Sequence, residues 1–163
     1  MYNRFIQPVR AQVRMWVAAS DVDEVVSATF MTAWSRFDEM EEATQKAWLL
    51  GVARNHSRNS SRSSRRSDAL IDAIEAIRPV TEERLYADGL DPVELAPLVA
   101  AMANLDEDLQ EVLVLSAWHE LSPAEIAIAL SISPNAARVR LHRARARLAV
   151  EFERLSHEGE DRP

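Results

Sequence analysis

The chain has 163 residues, 47% of them apolar, a net charge of −7 and no cysteine. That composition suits a globular protein of one domain or two small ones. It excludes disulfides and thiolate metal sites. No apolar run approaches the roughly 18 residues a membrane helix needs. The segment Met1 to Pro8 has no apolar signal core, so a cytoplasmic protein is expected. With three glycines and no alternating apolar run, the predicted fold class is all-α.

The charge is unevenly spread. Val52 to Arg66 holds five arginines and no acid, and Arg138 to Arg147 holds five more and no acid. Acids cluster elsewhere, seven between Asp21 and Glu42 and eight between Asp68 and Glu94. Two basic stretches on an acidic body point to two nucleic-acid contacts, with acidic surface left for protein partners.

In chain order, Phe5, Ile6, Val9, Val13, Trp16 and Val17 form a helical stripe over residues 2 to 17. Pro8 either kinks this helix or moves its start to near Gln7. Ser20 or Asp21 can cap a second helix, residues 22 to 36, with acids in its first turn. Val22, Val26, Phe30 and Ala33 face inward on it, and Glu24, Ser27, Met31 and Trp34 outward. Trp34 either marks a protein contact or closes a small core. After an acidic loop, Asp38 to Thr44, a third helix starts at Gln45, with Trp48, Leu49 and Val52 on its core side. Beyond Ala53 the apolar pattern stops. The stretch from His56 to Ser67 is either a Ser/Arg linker or a helix that turns Arg54, Asn55, Arg58 and Arg62 to a phosphate backbone.

Residues 67 to 90 form an acidic linker with one short apolar stripe, Leu70, Ile71, Ile74 and Ile77. Asp91-Pro92 looks like a helix start, although Pro97 can set it a turn later. Leu98, Val99, Met102 and Leu105 give the next stripe. Asp106 then caps a helix with Leu109, Val112 and Leu113 inward.

Residues 121 to 148 read as a helix-turn-helix. Ser122, Pro123 and Glu125 make a capping box. Ser131 to Ser133 form the break, and Ser133-Pro134 opens the second helix. Ala137, Leu141, Ala144 and Leu148 lie at i, i+4, i+7 and i+11, a narrow apolar stripe. Asn135, Val139 and His142 point the opposite way, flanked by Arg138 and Arg143. That pattern fits a recognition helix in a major groove. The tail after Ser156 is polar. No phosphate loop is present, the histidines are scattered, and His119-Glu120 lacks the second histidine of a zinc-protease motif. No catalysis, cofactor or metal is expected.

Two blocks together resemble the bacterial RNA polymerase sigma factors of the extracytoplasmic-function (ECF) type. The first is Asp21 to Trp34 with Trp48 to Asn55, similar to sigma region 2. The second is Leu105 to Leu148, similar to sigma region 4. The resemblance implies core RNA polymerase, promoter DNA and an anti-sigma factor as partners. It implies two helical domains, 1–66 and 91–155, a flexible linker at 67–90, and a tail at 156–163. It places polymerase contacts at Asp23, Glu24, Ser27, Met31 and Trp34, supported by Thr29 and Phe30. The −10 element would meet Asp38, Glu39, Met40, Trp48, Arg54, Asn55, Arg58 and Arg62. The −35 element would meet Ser133, Asn135, Ala136, Arg138, Val139, Arg140, His142 and Arg143. Departures from the family pattern are Ser27-Ala28 in place of Gln-Glu, and Ser131 where the turn usually carries Gly. A left-handed Ser131 would carry strain. The rival reading is a stand-alone helix-turn-helix regulator whose first 66 residues dimerise or sense a signal; a weaker one is an adaptor without DNA binding.

Overall fold

The computed structural model describes residues 1–37, 41–60 and 92–160. Among these residues every regular element is helical. The expectations for Asp38, Glu39, Met40, Arg62 and the 67–90 linker fall outside the described residues.

Three helices form the N-terminal block: α1 (Tyr2–Arg14), α2 (Val22–Ser35) and α3 (Gln45–Ser60). Pro8 lies inside α1, so the helix starts at Tyr2 and not near Gln7. The expected stripe is the core: Phe5, Val9, Val13 and Val17 pack on Val22, Val25, Val26, Phe30 and Ala33, with Leu49 and Ala53 from α3. Asp21 stands at the N-cap of α2, but its side chain makes no capping bond; it accepts from Ser20 Oγ instead. Glu42–Thr44 adds one 3₁₀ turn before α3. The third helix outlasts its apolar pattern and continues through His56 to Ser60. Part of the reason is tertiary: Ser57 is buried, bonding back to the Ala53 carbonyl at 2.9 Å, and His56 Nε2 meets Thr32 Oγ1 at 3.0 Å.

The C-terminal block comprises α4 (Pro92–Ala103), α5 (Glu107–Leu113), α6 (Pro123–Leu130) and α7 (Pro134–Glu160). Pro97 lies inside α4 and does not start it. Leu98 and Val99 are exposed at 36% and 37%, against the inward stripe expected of them. Only the later part of that stripe packs, with Leu105 buried and Met102 partly so; Ala101, outside the stripe, is buried as well. Asp106 occupies the N-cap of α5 without a side-chain capping bond.

Helix α5 runs directly into a π-helical turn, Val114–Trp118. The turn ends with His119 N–H donating to the Val114 carbonyl at 3.1 Å and Glu120 in the left-handed region at φ 55°. It leaves His119 buried and returns Leu121 to the core.

The helix-turn-helix is built as its sequence predicts. Ser122 and Glu125 form the reciprocal capping box, and Ser122's hydrogen bonds pull the Glu125 carboxyl below its ordinary pKa. Ser131 is left-handed at φ 53°, and Ile132 N–H closes the helix end onto the Ala127 carbonyl at 3.0 Å. Ser133 Oγ accepts from Ala136 N–H at 3.1 Å, capping α7. Ala137, Leu141 and Ala144 are buried against Val112, Ile126 and Leu130, with Leu148 partly buried beside them.

The two blocks touch along α3. Ala47 and Leu50 join the C-terminal core and not the N-terminal one. Gly51 sits so close to α6 that a Cβ there would lie 2.7 Å from the Ala129 carbonyl oxygen. Only glycine permits that approach without a shift. Met15 and Val114, with Trp16 and Trp118 beside them, form a smaller apolar contact between the residues that follow α1 and the π turn.

Candidate nucleic-acid interface

The recognition helix presents one side to the core and the other to solvent. Asn135, Arg138, Val139, His142 and Arg143 are exposed, and Arg140 and Ala136 are half-buried. Val139 is 52% exposed, a value that suits a base-edge or methyl contact and not a core residue. Beside this face lies a groove of about 820 Å³. Ser133, Asn135, Ala136, Val139, Arg140 and Arg143 line one wall. Asp106, Glu107, Asp108 and Leu109 at the start of α5 line the other. The acids give that wall a negative charge opposite the arginines of α7. Arg145 reaches Ser116 at 3.3 Å and Arg147 pairs with Glu151 at 3.1 Å, so the arginines lower on α7 have protein partners.

The arginines of α3 have different surroundings. Arg54 does not face solvent, as an arginine row directed at phosphate requires. Its Nε donates to Glu111 Oε1 at 2.5 Å, with the two side chains only 14% and 4% exposed. Burial pushes the Glu111 carboxyl up, and the Arg54 hydrogen bond and charge oppose this. Arg58 lies 3.4 Å from Asp108 and 3.8 Å from Glu107. Asn55 is exposed. Trp48 is half-buried and packs on the N-terminal core.

On α2, Glu24, Ser27, Met31 and Trp34 fall on one exposed face. Trp34 is 80% exposed and Met31 73%, so Trp34 closes no core in this chain. Phe37, which the sequence reading passed over, extends the patch at 49%. Asp23 pairs with Arg10 at 2.6 Å. Thr29 and Phe30 are buried beneath, Thr29 Oγ1 donating to the Val25 carbonyl at 2.7 Å.

The sequence also concealed a polar seam between the blocks. His119 is 2% exposed, and its Nε2 lies 2.9 Å from Gln12 Oε1. Lys46 Nζ donates to the His119 carbonyl at 2.6 Å. Burial, with the Lys46 charge adding to it, pushes the imidazole down to about 4, so it is neutral at ordinary pH and donates from Nε2. Two signals for this seam were present: a glutamine inside the Val9–Val13 stripe, and the one lysine of an arginine-rich chain. Among the described residues no group of three potential metal ligands converges, and no helix is long and apolar enough to cross a membrane.

Comparison with known proteins agrees with this arrangement. The family model described as Sigma-70, region 4 matches residues 95–148. The RNA polymerase sigma factor NccH of Alcaligenes xylosoxydans xylosoxydans is 29% identical over 142 residues, covering 82% of this chain and 74% of that protein. The RNA polymerase sigma factor CnrH of Cupriavidus metallidurans is 30% identical over 146 residues, with the same coverage. Among solved structures, CnrH in complex with the cytosolic domain of CnrY aligns with a TM-score of 0.62 at 28% identity. That alignment covers 93% of this chain and 84% of the other. The sigma factor RpoE in complex with the anti-sigma factor NepR, from Bartonella quintana, shares the fold at 20% identity and a TM-score of 0.62, over 93% and 94% of the two chains. The chain belongs to the sigma-70 family, as an RNA polymerase sigma factor of the ECF type.

Proposed function

We propose that this sigma factor divides promoter recognition between its two blocks. Residues 91–155 read the −35 element through Asn135, Arg138, Val139, His142 and Arg143, with Ser133, Ala136 and Arg140 at the edge of the contact. Residues 1–66 serve the −10 element through Arg54, Asn55, Arg58 and Arg62 on and beyond α3, with Trp48 and the loop residues Asp38, Glu39 and Met40. The outward face of α2, carrying Asp23, Glu24, Ser27, Met31 and Trp34, docks on polymerase. The observation that carries this reading is the two-sided recognition helix: Ala137, Leu141 and Ala144 are buried while Val139 and its polar neighbours stand exposed.

An acidic, aromatic α2 face is complementary to a protein and repelled by phosphate, which supports the polymerase assignment. Catalysis resides in the polymerase, and the chain works in the cytoplasm with no cofactor of its own. CnrH and RpoE were each captured with a second protein, CnrY and the anti-sigma factor NepR. An anti-sigma partner for this chain follows by analogy, and the exposed Met31–Trp34–Phe37 patch is the surface for it to cover.

Run-off transcription with purified core polymerase, on promoters cloned from around the protein's own gene, tests the reading. The double variant Glu24→Lys, Trp34→Ala should lose core-polymerase pull-down while circular dichroism stays unchanged. Loss of a buried aromatic anchor costs about 2 kcal/mol or more at an interface. Full-strength assembly by that folded variant removes the α2 assignment.

A further inference from the structure

Val139 is the odd residue on the reading side of α7. It is β-branched, which lowers helix propensity slightly and holds its side chain in one preferred rotamer. It is nevertheless 52% exposed. A solitary exposed valine is ordinary; the neighbours of this one are not. One helical turn before it stand Asn135 and Ala136, and one turn after it His142 and Arg143. Among the described residues, the side chains of Asn135, His142 and Arg143 make no hydrogen bond or ion pair with protein. Val150, further along the same helix, makes the contrast. It is exposed at 54%, but Arg147 and Arg154 at its flanks both pair with Glu151. That valine sits on a charge ladder satisfied within the helix.

In the major groove the base edges carry one apolar group, the 5-methyl of thymine; the other groups there donate or accept hydrogen bonds. A valine has nothing to offer a phosphate, a carbonyl or an amino group. It can cover a methyl, and half-buried Ala136 widens the same apolar spot. Asn135 and Arg143 lie four residues to either side, about 6 Å of helix each way. That is under two base steps of about 3.4 Å, so the three side chains meet neighbouring pairs of one site. Asn135 suits an adenine and Arg143 a guanine.

We propose that Val139 makes the −35 contact a reader of 5-methylpyrimidines, selecting one thymine by its methyl group between the pairs met by Asn135 and Arg143. The proposal rests on the assignment of α7 to the −35 element and names the base feature that α7 selects. Thymine and 5-methylcytosine carry the methyl at the same place and differ in the polar group beside it. Val139 has no side-chain polar atom and is blind to that difference. Methylated cytosine at this position therefore presents it with the favoured surface, and uracil or plain cytosine does not.

The test uses holoenzyme reconstituted from this protein and core polymerase. It selects promoter duplexes in one round from a pool randomised across the −35 region, and the bound fraction is sequenced. Three pools differ only in that window: unmodified, deoxyuridine for thymidine, and 5-methylcytosine for cytosine. The wild type should enrich thymine at one position of the unmodified pool. In the uracil pool, enrichment at that position should fall by about fourfold, the effect of returning one methyl-sized group to water. In the 5-methylcytosine pool, cytosine should rise there by about the same factor. Val139→Ala should remove both responses, and Val139→Ile should keep them, with circular dichroism unchanged because the side chain is exposed. The wild-type pools decide the matter even without a variant. Enrichment that ignores the methyl at every position overturns the proposal. A methyl response that survives Val139→Ala also overturns it, by assigning the methyl to another residue. A −35 preference unchanged by Asn135→Ala with Arg143→Ala overturns the assignment of α7 itself.

Discussion

Helices α3 and α7 each begin a run of arginines in which no acid intervenes, and their surroundings differ. On α7 the row Arg138, Arg143 is exposed, with Arg140 at the groove edge. On α3 Arg54 is enclosed with Glu111, and Arg58 is held at the surface by Asp108 and Glu107. The lesson is that a basic run defines a capacity for binding anions, while its availability depends on what the fold brings opposite. Here the same short helix, α5, supplies acids to both sites, closing one and lining the approach to the other.

The comparison breaks most sharply at the enclosed pair. Arg54→Ala leaves Glu111 buried without its partner and should destabilise the fold by about 3 kcal/mol or more. Arg138→Ala should stay within about 0.5 kcal/mol of wild type. Urea denaturation measures both, and equal effects would erase the distinction. The Arg54→Ala loss should also be smaller at low pH. Glu111 already has a raised pKa, and protonation removes the unpaired charge.

The next effect tests the seam beside that pair. His119 has a folded pKa of about 4 against an ordinary 6.5. Its neutral form is favoured in the fold, so its contribution is whole above pH 6.5 and is lost as pH falls through 4. The loss is at most about 3 kcal/mol. Glu111 acts in the opposite sense, because a raised carboxyl pKa adds stability as pH falls. His119→Gln, which keeps a donor for Gln12, separates the two. It should flatten the acid decline in thermal midpoint, and an unchanged decline would assign acid sensitivity elsewhere.

At the open site, Arg138→Ala should cost about 1–3 kcal/mol of binding to the preferred −35 sequence in the assembled holoenzyme if it reads a base. Uniform weakening on all sequences would make it a phosphate contact. Smallest is Ser131→Gly, which relieves a left-handed non-glycine residue and should stabilise the C-terminal block by about 1 kcal/mol or less. It leaves the N-terminal block untouched, and so serves as the control for effects confined to one block.

Much of the fold was legible because its signals are local. The Ser122–Glu125 box, the Ala137–Leu141–Ala144 stripe and the left-handed Ser131 each lie within a few residues. The core of α1 and α2 likewise follows from helical periodicity. What the sequence hid is long-range. Glu111 lies 57 positions from Arg54, and Asp108 lies 50 from Arg58. No spacing rule links such pairs. Leu98 and Val99 misled because an apolar stripe states which side of a helix prefers to be covered, not whether the fold has cover to offer. The reading of Asp21 and Asp106 as side-chain caps failed for a related reason. An acid at a helix start can favour the dipole from that position without accepting a backbone hydrogen bond.

The π turn at Val114–Trp118 has a consequence for which changes this chain can absorb. Such a turn holds one residue more than an α-helical turn, and each residue of an α-helix turns the chain by about 100°. The extra residue sets the phase at which His119 meets Gln12 and Leu121 re-enters the core. Substitutions within the turn leave that phase intact. A one-residue deletion there would rotate everything downstream, the whole helix-turn-helix included, against the N-terminal block. Length in this turn therefore sets how the two blocks meet, while its buried Val114 and Leu115 set how well they pack.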